Sequence, residues 1–440
     1  MTRMPDESQN EDQLLTEAER LAPAPPVPEG SAGRGARLFV VDFGPLRRHR
    51  DFRLLWCGQA VSLLGSMVTF VAIPYQAYAL SQSSLVVGLL SAAELIPLLV
   101  MALFGGALAD AVDRRKLVLI AEALLTVASA ALLANALLPQ PRLWPLFVIG
   151  AVMAGVDGLQ RPPLDALLPR LVDKGEIVAA GALSSLRMTV GMIAGPALGG
   201  VLIAVWGVGS AFAFDIATFA VSLVALALMR AVPPPSDAPA PSLRGIMEGL
   251  RYAAGRQELI GTYTVDLVAM FFGMPMALFP ALAREFGGAG VLGLLYTAPS
   301  VGAFIASATS GWAPRVRRHG AAVCLAALGW GVGITLLGFA PNLVTALLAL
   351  IIAGYCDMVS GIFRHAIWNQ TIPDRLRGRL AGIEQISYST GPMLGNVEAG
   401  AVAAVAGLRA SIASGGILCV AGVGVAIALL PKFWSYRAPD

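Results

Sequence analysis

Several charged side chains stand inside long apolar stretches of this sequence, where they could form ion pairs or carry protons. Asp157, Arg161 and Asp165 follow one another at four-residue spacing, so they share one face of a helix. Arg187 lies at a similar depth in the next stretch, and we expect it to pair with Asp157. A charge that faces lipid costs at least ~2.5–3.5 kcal/mol. We therefore expect these groups to face protein or water, either as a fixed ion pair between helices or as a pair that breaks and reforms during movement.

Glu94 lies closest to the middle of its apolar stretch and is our first candidate for a proton carrier. A carboxyl group that is removed from water holds a proton more readily than one in solution, and it can release the proton when water returns. Asp157, Asp266 and Asp357 are rival candidates in other stretches. For each of the four, a purely structural hydrogen-bonding role is the alternative.

The composition around these charges is that of a membrane protein. Of 440 residues, 56% are hydrophobic and only 13% are charged, which is about half the charged share of a soluble globular protein. These values exclude a soluble enzyme, a disordered protein and a disulfide-rich secreted domain. The basic residues are scattered and the net charge is +3, so we expect no nucleic-acid partner. The cysteines and histidines lack metal-ligand spacing, and we expect no metal and no cofactor.

Twelve apolar segments follow one another from Phe52, and each is long enough to cross the bilayer as a helix of about 20 residues. The sequence therefore predicts an all-α integral membrane protein. The predicted helices are 53–80, 85–108, 116–138, 144–165, 181–205, 211–229, 258–282, 291–312, 321–340, 343–363, 380–406 and 410–430. Arg and Lys gather in alternate loops, which predicts an inner (cytoplasmic) membrane protein with both termini in the cytoplasm.

The segments divide into two halves that resemble each other. Helix 5 contains Gly-Pro-Ala-Leu-Gly-Gly at 195–200, and helix 11 contains Gly-Pro-Met-Leu-Gly-Asn at 391–396. Two six-helix halves that repeat in parallel are a transporter architecture, with the substrate path at their interface. The predicted parts are a disordered cytoplasmic tail (1–50), a six-helix bundle (51–230), a cytoplasmic Pro-rich linker (231–257), a second six-helix bundle (258–431) and a cytoplasmic tail (432–440).

The loop between the second and third helices reads Gly-Ala-Leu-Ala-Asp-Ala-Val-Asp-Arg-Arg-Lys from Gly106 to Lys116. We expect Asp110 to face the positive N-terminus of another helix, while Arg114 and Arg115 meet carboxylates. The loop would then act as a gating latch, and an ordinary positively charged turn is the alternative. The pattern resembles the signature loop of the major facilitator superfamily, although Ala and Asp at 111 and 113 stand where Arg and Gly are usual.

The fifth helix carries the pattern GxxxGPxxGG. Glycine at four-residue spacing lets two helix backbones approach closely, so helix packing alone is one interpretation. The pattern also resembles the helix-5 signature of proton-coupled exporters in the same superfamily, which would make it an exporter motif. Its residues are Gly191, Gly195, Pro196, Gly199 and Gly200.

Further matches run from about residue 50 to 430, and together they resemble the enterobactin (siderophore) exporter branch of the major facilitator superfamily. They include Ile-Pro-Tyr-Gln at 73–76, Phe-Pro-Ala-Leu-Ala at 279–283, Gly-Leu-Leu-Tyr at 293–296 and Gln-Thr-Ile-Pro-Asp at 370–374. The resemblance implies a proton-coupled antiporter that exports a small molecule by alternating access, with a siderophore of enterobactin type as cargo. The expected partners are this small molecule, protons and the lipid bilayer, and we expect a monomer. A multidrug efflux pump of the same fold is the alternative, and a membrane-embedded enzyme is a remote one.

Overall fold

The computed structural model describes residues 42–232 and 251–438, and these residues are helical along most of their length. Most of the predicted tail at 1–50 and most of the predicted Pro-rich linker at 231–257 lie outside the described residues. The predicted domain boundaries therefore stay predictions. The described part of the tail contains a short helix, Gly44–Arg48, and the first long helix starts directly after it at Arg50.

Twelve long helices occupy the described residues, and we label them α1 to α12. Ten spans within the described residues are long and apolar enough to cross a membrane, which confirms an all-α membrane fold. The other two helices are α4, which carries Asp157 and Arg161, and α11. The helices are α1 (Arg50–Ser81), α2 (Ser84–Ala111), α3 (Arg114–Ala136), α4 (Trp144–Leu171), α5 (Ile177–Trp206), α6 (Val208–Ala227), α7 (Gln257–Phe272), α8 (Ala289–Ala308), α9 (His319–Gly338), α10 (Leu343–Thr371), α11 (Asp374–Ala406) and α12 (Leu408–Leu429).

The predicted seventh helix is broken in the structure. Helix α7 ends at Phe272, and a separate helix, Phe279–Phe286, continues the span after a short 3-10 turn. Pro275 has no amide hydrogen for a helical bond, and the exposed backbone groups find side-chain partners instead. Trp330 Nε1 donates to the Gly273 carbonyl oxygen at 3.0 Å, and the Ala277 amide donates to Asn396 Oδ1 at 3.0 Å. Partners on α9 and α11 thus stabilise the break.

The helices pack in the same way in both halves of the chain. In the first half α2 packs on α4, and α1 packs on α5 and α6; in the second half α8 packs on α10, and α7 packs on α11 and α12. Between the halves α5 packs on α8 and α11 packs on α2. These two interfaces pair equivalent helices, as the internal repeat requires.

The two interfaces between the halves are closest at equivalent glycines. A Cβ added to Gly200 of α5 would lie 2.8 Å from the Cα of Gly293 on α8. A Cβ added to Gly88 of α2 would lie 2.3 Å from the carbonyl oxygen of Asn396 on α11. Gly200 and Asn396 are the last residues of the two matched hexapeptides, so the sequence repeat marks the helix crossings.

Three side-chain hydrogen bonds join the halves among the described residues. Asn396 Nδ2 donates to Ser91 Oγ at 3.1 Å, Thr297 Oγ1 donates to the Ile193 carbonyl oxygen at 3.1 Å, and Arg284 donates to Gln82 Oε1. All three lie in the parts of the helices that are nearer to the α1–α2, α5–α6 and α11–α12 turns. We call this end of the molecule the closed end.

Replacing Gly354 of α10 with Leu should lower the free energy of unfolding by about 1–3 kcal/mol, the usual effect of an overpacked site. A Cβ at this position would lie 2.0 Å from the carbonyl oxygen of Pro299 on α8. Thermal unfolding in detergent, followed by size-exclusion chromatography, measures the effect. Gly424→Leu on α12 is the control, since nothing lies within 4 Å of a Cβ there. Equal unfolding temperatures for the two variants would contradict the packing.

Candidate functional site

Arg364 of α10 is the centre of a buried charged cluster in the second half. It forms an ion pair with Asp266 of α7, and both side chains are 5% exposed. Its Nη2 atom lies 3.7 Å from Oδ1 of Asp357, whose side chain is 43% exposed. The guanidinium carbon also lies 5.1 Å from the ring centroid of Tyr388 on α11. The cluster therefore joins three helices around a buried cation and has an accessible rim at Asp357.

Further aromatic rings pack beside Tyr388. Trp368 stacks on Tyr263 with ring centroids 5.7 Å apart, and it meets Tyr388 edge-on at 6.0 Å. Its indole nitrogen donates to Thr262 Oγ1 at 2.9 Å, so the ring is held in place. Cation, carboxylates and aromatic faces together can bind an aromatic ligand that carries hydroxyl groups, through stacking and charge-assisted hydrogen bonds. We call Asp266, Asp357, Arg364, Trp368 and Tyr388 the Arg364 cluster.

The charged residues of α4 and α5 do not pair as predicted. Asp157 lies 3.8 Å from Arg161 Nε on its own helix, and both side chains are more than half exposed. Arg187 of α5 is half-buried, and it lies within electrostatic range of Asp165 and of Glu122 on α3. The prediction of an Asp157–Arg187 pair was wrong because depth alone does not specify which face of α5 the arginine occupies.

Glu94 is half-buried on α2. A Cβ added to Gly150 of α4 would lie 3.0 Å from its Oε1 atom, and Tyr296 of α8 lies within its electrostatic range. Glu94 therefore stands where α2, α4 and the opposite half come together. Its predicted role as a proton carrier stays a prediction.

The α2–α3 loop binds the ends of other helices in its half. Arg114 is buried and donates to the Ala166 carbonyl oxygen of α4 at 3.2 Å. Arg115 donates through Nε and Nη2 to the carbonyl oxygens of Leu226 and Ala227 at 2.6 and 2.7 Å. In these bonds the acceptors are carbonyl groups near helix C-termini, which attract cations, rather than the predicted carboxylates. The side chain of Asp110 and the surroundings of Gly106 lie outside the described part, so the latch stays a prediction.

The exporter motif of α5 makes two different helix contacts. Gly191, Gly195 and Gly199 face α1, where added Cβ atoms would lie 2.5 Å from Leu63, 2.3 Å from Met67 and 3.2 Å from Val68. Gly200 faces α8, and a Cβ added to Gly293 of α8 would lie 2.5 Å from the carbonyl oxygen of Pro196. The glycines of the motif thus allow α5 to pack closely on α1 in its own half and on α8 in the opposite half. Its role in export stays a prediction.

Sequence reasoning missed three buried charged residues. Arg364 was missed because the predicted tenth helix ended at residue 363, which put the arginine in a loop. Glu122 of α3 and Asp215 of α6 are both 0% exposed, and they lie within predicted apolar segments. The signal that could have found them was an isolated acid inside a span that otherwise lacks charge.

The fold and the charged interior define a membrane transporter built from two repeated helical bundles. The family model described as transmembrane secretion effector matches residues 40–436. This protein belongs to that family, within the major facilitator superfamily. The family is one of transporters, so the protein is a multi-pass membrane transporter and not an enzyme.

Curated relatives share most of their length with this chain. Enterobactin exporter EntS of Shigella boydii serotype 4 (strain Sb227) is 27% identical over 394 residues, which cover 89% of this chain and 95% of the relative. The protein of the same name from Escherichia coli O1:K1 / APEC has the same identity and coverage. The crystal structure of the peptide transporter POT has a TM-score of 0.70 at 12% identity, and covers 89% of this chain and 96% of its own. At that identity the structural match shows the fold alone, and it confirms the major facilitator fold.

Replacing Arg364 with Gln should destabilise the protein by about 3–5 kcal/mol, because it leaves Asp266 as a buried unpaired charge. Adding Asp266→Asn should restore part of the lost stability, since the remaining charge is then removed as well. Thermal unfolding of the single and double variants measures the coupling. Arg161→Gln is the control, because its exposed pair with Asp157 should contribute less than ~1 kcal/mol. Additive effects of the two substitutions would contradict the pair.

Proposed function

We propose that this protein is a proton-coupled antiporter of the inner (cytoplasmic) membrane that exports a siderophore of enterobactin type as a monomer. The observation that carries this proposal is the similarity to enterobactin exporters along 89% of the chain. An identity of 27% does not by itself assign the cargo, so the cargo is tested by the transport assay below. A multidrug pump of the same fold is the alternative outcome.

The closed end supports transport by alternating access. Among the described residues, the hydrogen bonds between halves and the closest glycine contacts lie in the parts of the helices nearer to that end. Rocking of the halves about a central path would break these contacts and form others at the opposite end. The Arg and Lys distribution favours an orientation with the closed end outside the cell. The structure then corresponds to the state that receives cargo from the cytoplasm.

The Arg364 cluster supports an aromatic cargo. A siderophore of enterobactin type presents hydroxylated aromatic rings, which match a guanidinium that lies over the Tyr388 ring, with Trp368 packed edge-on against the same ring. The exposed rim at Asp357 gives the cluster access from outside the bundle core.

A proton gradient would drive the export. One charge that crosses the membrane potential releases ~2.3 kcal/mol per 100 mV, so one or two protons suffice for substantial accumulation outside. Glu94 is our first candidate for the carrier, because its half-buried carboxyl group lies at mid-depth between α4 and the opposite half. A carrier must meet the cargo path and also be removable from water, and a half-buried position where the two halves meet supports this choice.

The purified protein in inside-out proteoliposomes should accumulate enterobactin when the lumen is acidic, and should move a cationic dye much less. Comparing the uptake of the two compounds identifies the preferred cargo. Comparing uptake with and without a pH gradient shows whether transport is coupled to protons. Accumulation of the dye in place of enterobactin would favour the multidrug pump. Enterobactin transport without any dependence on the pH gradient would remove proton coupling from the proposal.

Glu94→Gln should abolish uphill transport but keep transport down a cargo gradient, because glutamine keeps the shape of the side chain and cannot exchange a proton. Transport in the two modes is measured in the same vesicles. Asp173→Asn is the control, since the Asp173 side chain is 87% exposed and lies in a loop. Unchanged uphill transport by Glu94→Gln would take the carrier role away from Glu94.

A further inference from the structure

A column of buried polar side chains runs through the interior of the first bundle, between α1, α3 and α6. The members on each helix are spaced by three, four or seven residues, so each helix contributes one face. From Gln59 to Gln76 the column rises ~26 Å at 1.5 Å per residue, compared with ~30 Å of hydrocarbon in a bilayer. Its buried members are Gln59, Ser62, Thr69 and Gln76 on α1, Glu122 and Ser129 on α3, and Asp215, Thr218 and Ser222 on α6.

Glu122 is the acid of the column that lies nearer to the α2–α3 loop. Its Oε1 atom accepts hydrogen bonds from Gln59 Nε2 and, at 2.9 Å, from Ser222 Oγ. Its Oε2 atom makes no hydrogen bond with the described residues, although Ser62 and Gln160 also face the carboxyl group. Glu122 is 0% exposed, so its second carboxyl oxygen is buried, beside Ser62 and Gln160 but without a hydrogen bond of normal geometry to them.

Asp215 is the acid nearer to the closed end, and its surroundings repeat this pattern. Its Oδ2 atom accepts hydrogen bonds from Thr69 Oγ1 at 2.8 Å and from Ser129 Oγ at 2.6 Å. Its Oδ1 atom has no partner in the described structure, and Asp215 is also 0% exposed. A Cβ added to Gly65 would lie 2.6 Å from Oδ1, so glycine on α1 makes room for the acid.

A purely structural acid would use both oxygens, because an ionised carboxylate with a free oxygen is costly in a medium of low dielectric constant. Protonation of the unpartnered oxygen removes that charge. The neighbours of both acids are hydroxyl and amide groups, and a hydroxyl group can accept one proton while it donates another. The column therefore contains two acids that can bind a proton, and the buried hydroxyl groups of Ser62 and Thr218 lie at intermediate positions along α1 and α6.

Arg187 connects the column to the helices that join the two halves. It lies within electrostatic range of Asp165 on α4 and, more weakly, of Glu122. Its Nε atom is buried without a hydrogen bond to the described residues. An ionised Glu122 would attract this guanidinium, and a protonated Glu122 would leave it to Asp165. Because Arg187 lies on α5, which packs on α8, the charge on Glu122 acts on the interface between the halves.

We propose that this column is a proton path inside the first bundle, separate from the cargo path, in which Asp215 and Glu122 bind the proton in turn. A proton that enters from the closed end converts the Asp215 carboxylate to the neutral acid. Its transfer to the Glu122 carboxylate, through hydroxyl groups and water, leaves Asp215 ionised again. Release towards the α2–α3 loop then leaves Glu122 ionised and attracts Arg187. The inference rests on the proposed proton coupling and adds a second set of groups beside Glu94.

Glu122→Gln and Asp215→Asn test the path in inside-out vesicles of phosphatidylethanolamine and phosphatidylglycerol that contain a pH-sensitive dye. Glutamine and asparagine keep the carbonyl acceptor for the neighbouring donors, so the bundle should fold. We expect proton movement per transported enterobactin to fall at least about tenfold, while transport down a cargo gradient continues. Asp173→Asn, which changes an exposed loop acid, should behave like the unchanged protein.

Infrared difference spectra give a readout that a merely structural role would not change. On acidification the unchanged protein should show carboxyl bands that Glu122→Gln and Asp215→Asn each lose in part. Normal proton movement in both variants, or no band assigned to either acid, would overturn the path while leaving the proposed function intact. Absence of cargo-linked proton movement in the unchanged protein would instead overturn the proposed coupling, and the path with it. If one variant fails to fold, proton movement in the other variant and the carboxyl bands of the unchanged protein still test the proton path.

Discussion

The bilayer offers no water to charged or polar side chains, and this constraint explains how the protein distributes them. The second half neutralises its interior charge by pairing, since Arg364 binds Asp266 with both side chains 5% exposed. In the first half the hydrogen bonds that Glu122 and Asp215 receive come from amide and hydroxyl groups, and Arg187 lies within electrostatic range of Glu122 without an ion pair. A directly paired charge resists a change of protonation, because it would leave its partner alone. An acid without a direct ion pair is restrained less, so the two halves differ in how readily their interior acids can change protonation.

The same constraint made the helices predictable from the sequence. Each span must satisfy its backbone internally, so apolar length and the positions of Arg and Lys sufficed for the order of the helices. The ends were less predictable because they depend on distant partners. Helix α10 continues to Thr371 because its last turns bury Ile367 and Trp368. The break after Phe272 is stabilised by Trp330 and Asn396 from other helices. The sequence near Pro275 does not indicate that these two residues contact it.

The candidate site was predictable as a set of residue types and not as a set of pairs. Spacing of four residues identified the Asp157–Arg161 neighbours on one helix, and the structure has them 3.8 Å apart. Pairing between helices depends on the rotation of each helix about its axis, which an apolar span does not specify. Arg187 therefore lies within electrostatic range of Asp165 and Glu122, whereas Asp157 was expected. The Arg364 cluster combines residues from α7, α10 and α11, so only the packed structure could bring them together.

The interactions that hold the closed end together have energies of the same order as the free energy that one proton releases when it crosses the membrane potential. Within the described part of the chain, three side-chain hydrogen bonds join the halves there, and each contributes a net ~0.5–1.5 kcal/mol. The glycine crossings add close packing and no further polar anchor, since Gly200 meets Gly293 through backbone atoms alone. One proton moving through 100 mV supplies ~2.3 kcal/mol. Because α5 carries both Arg187 and the Gly200 crossing, the proposed binding of a proton within the first bundle would act on a helix that packs directly against the opposite half.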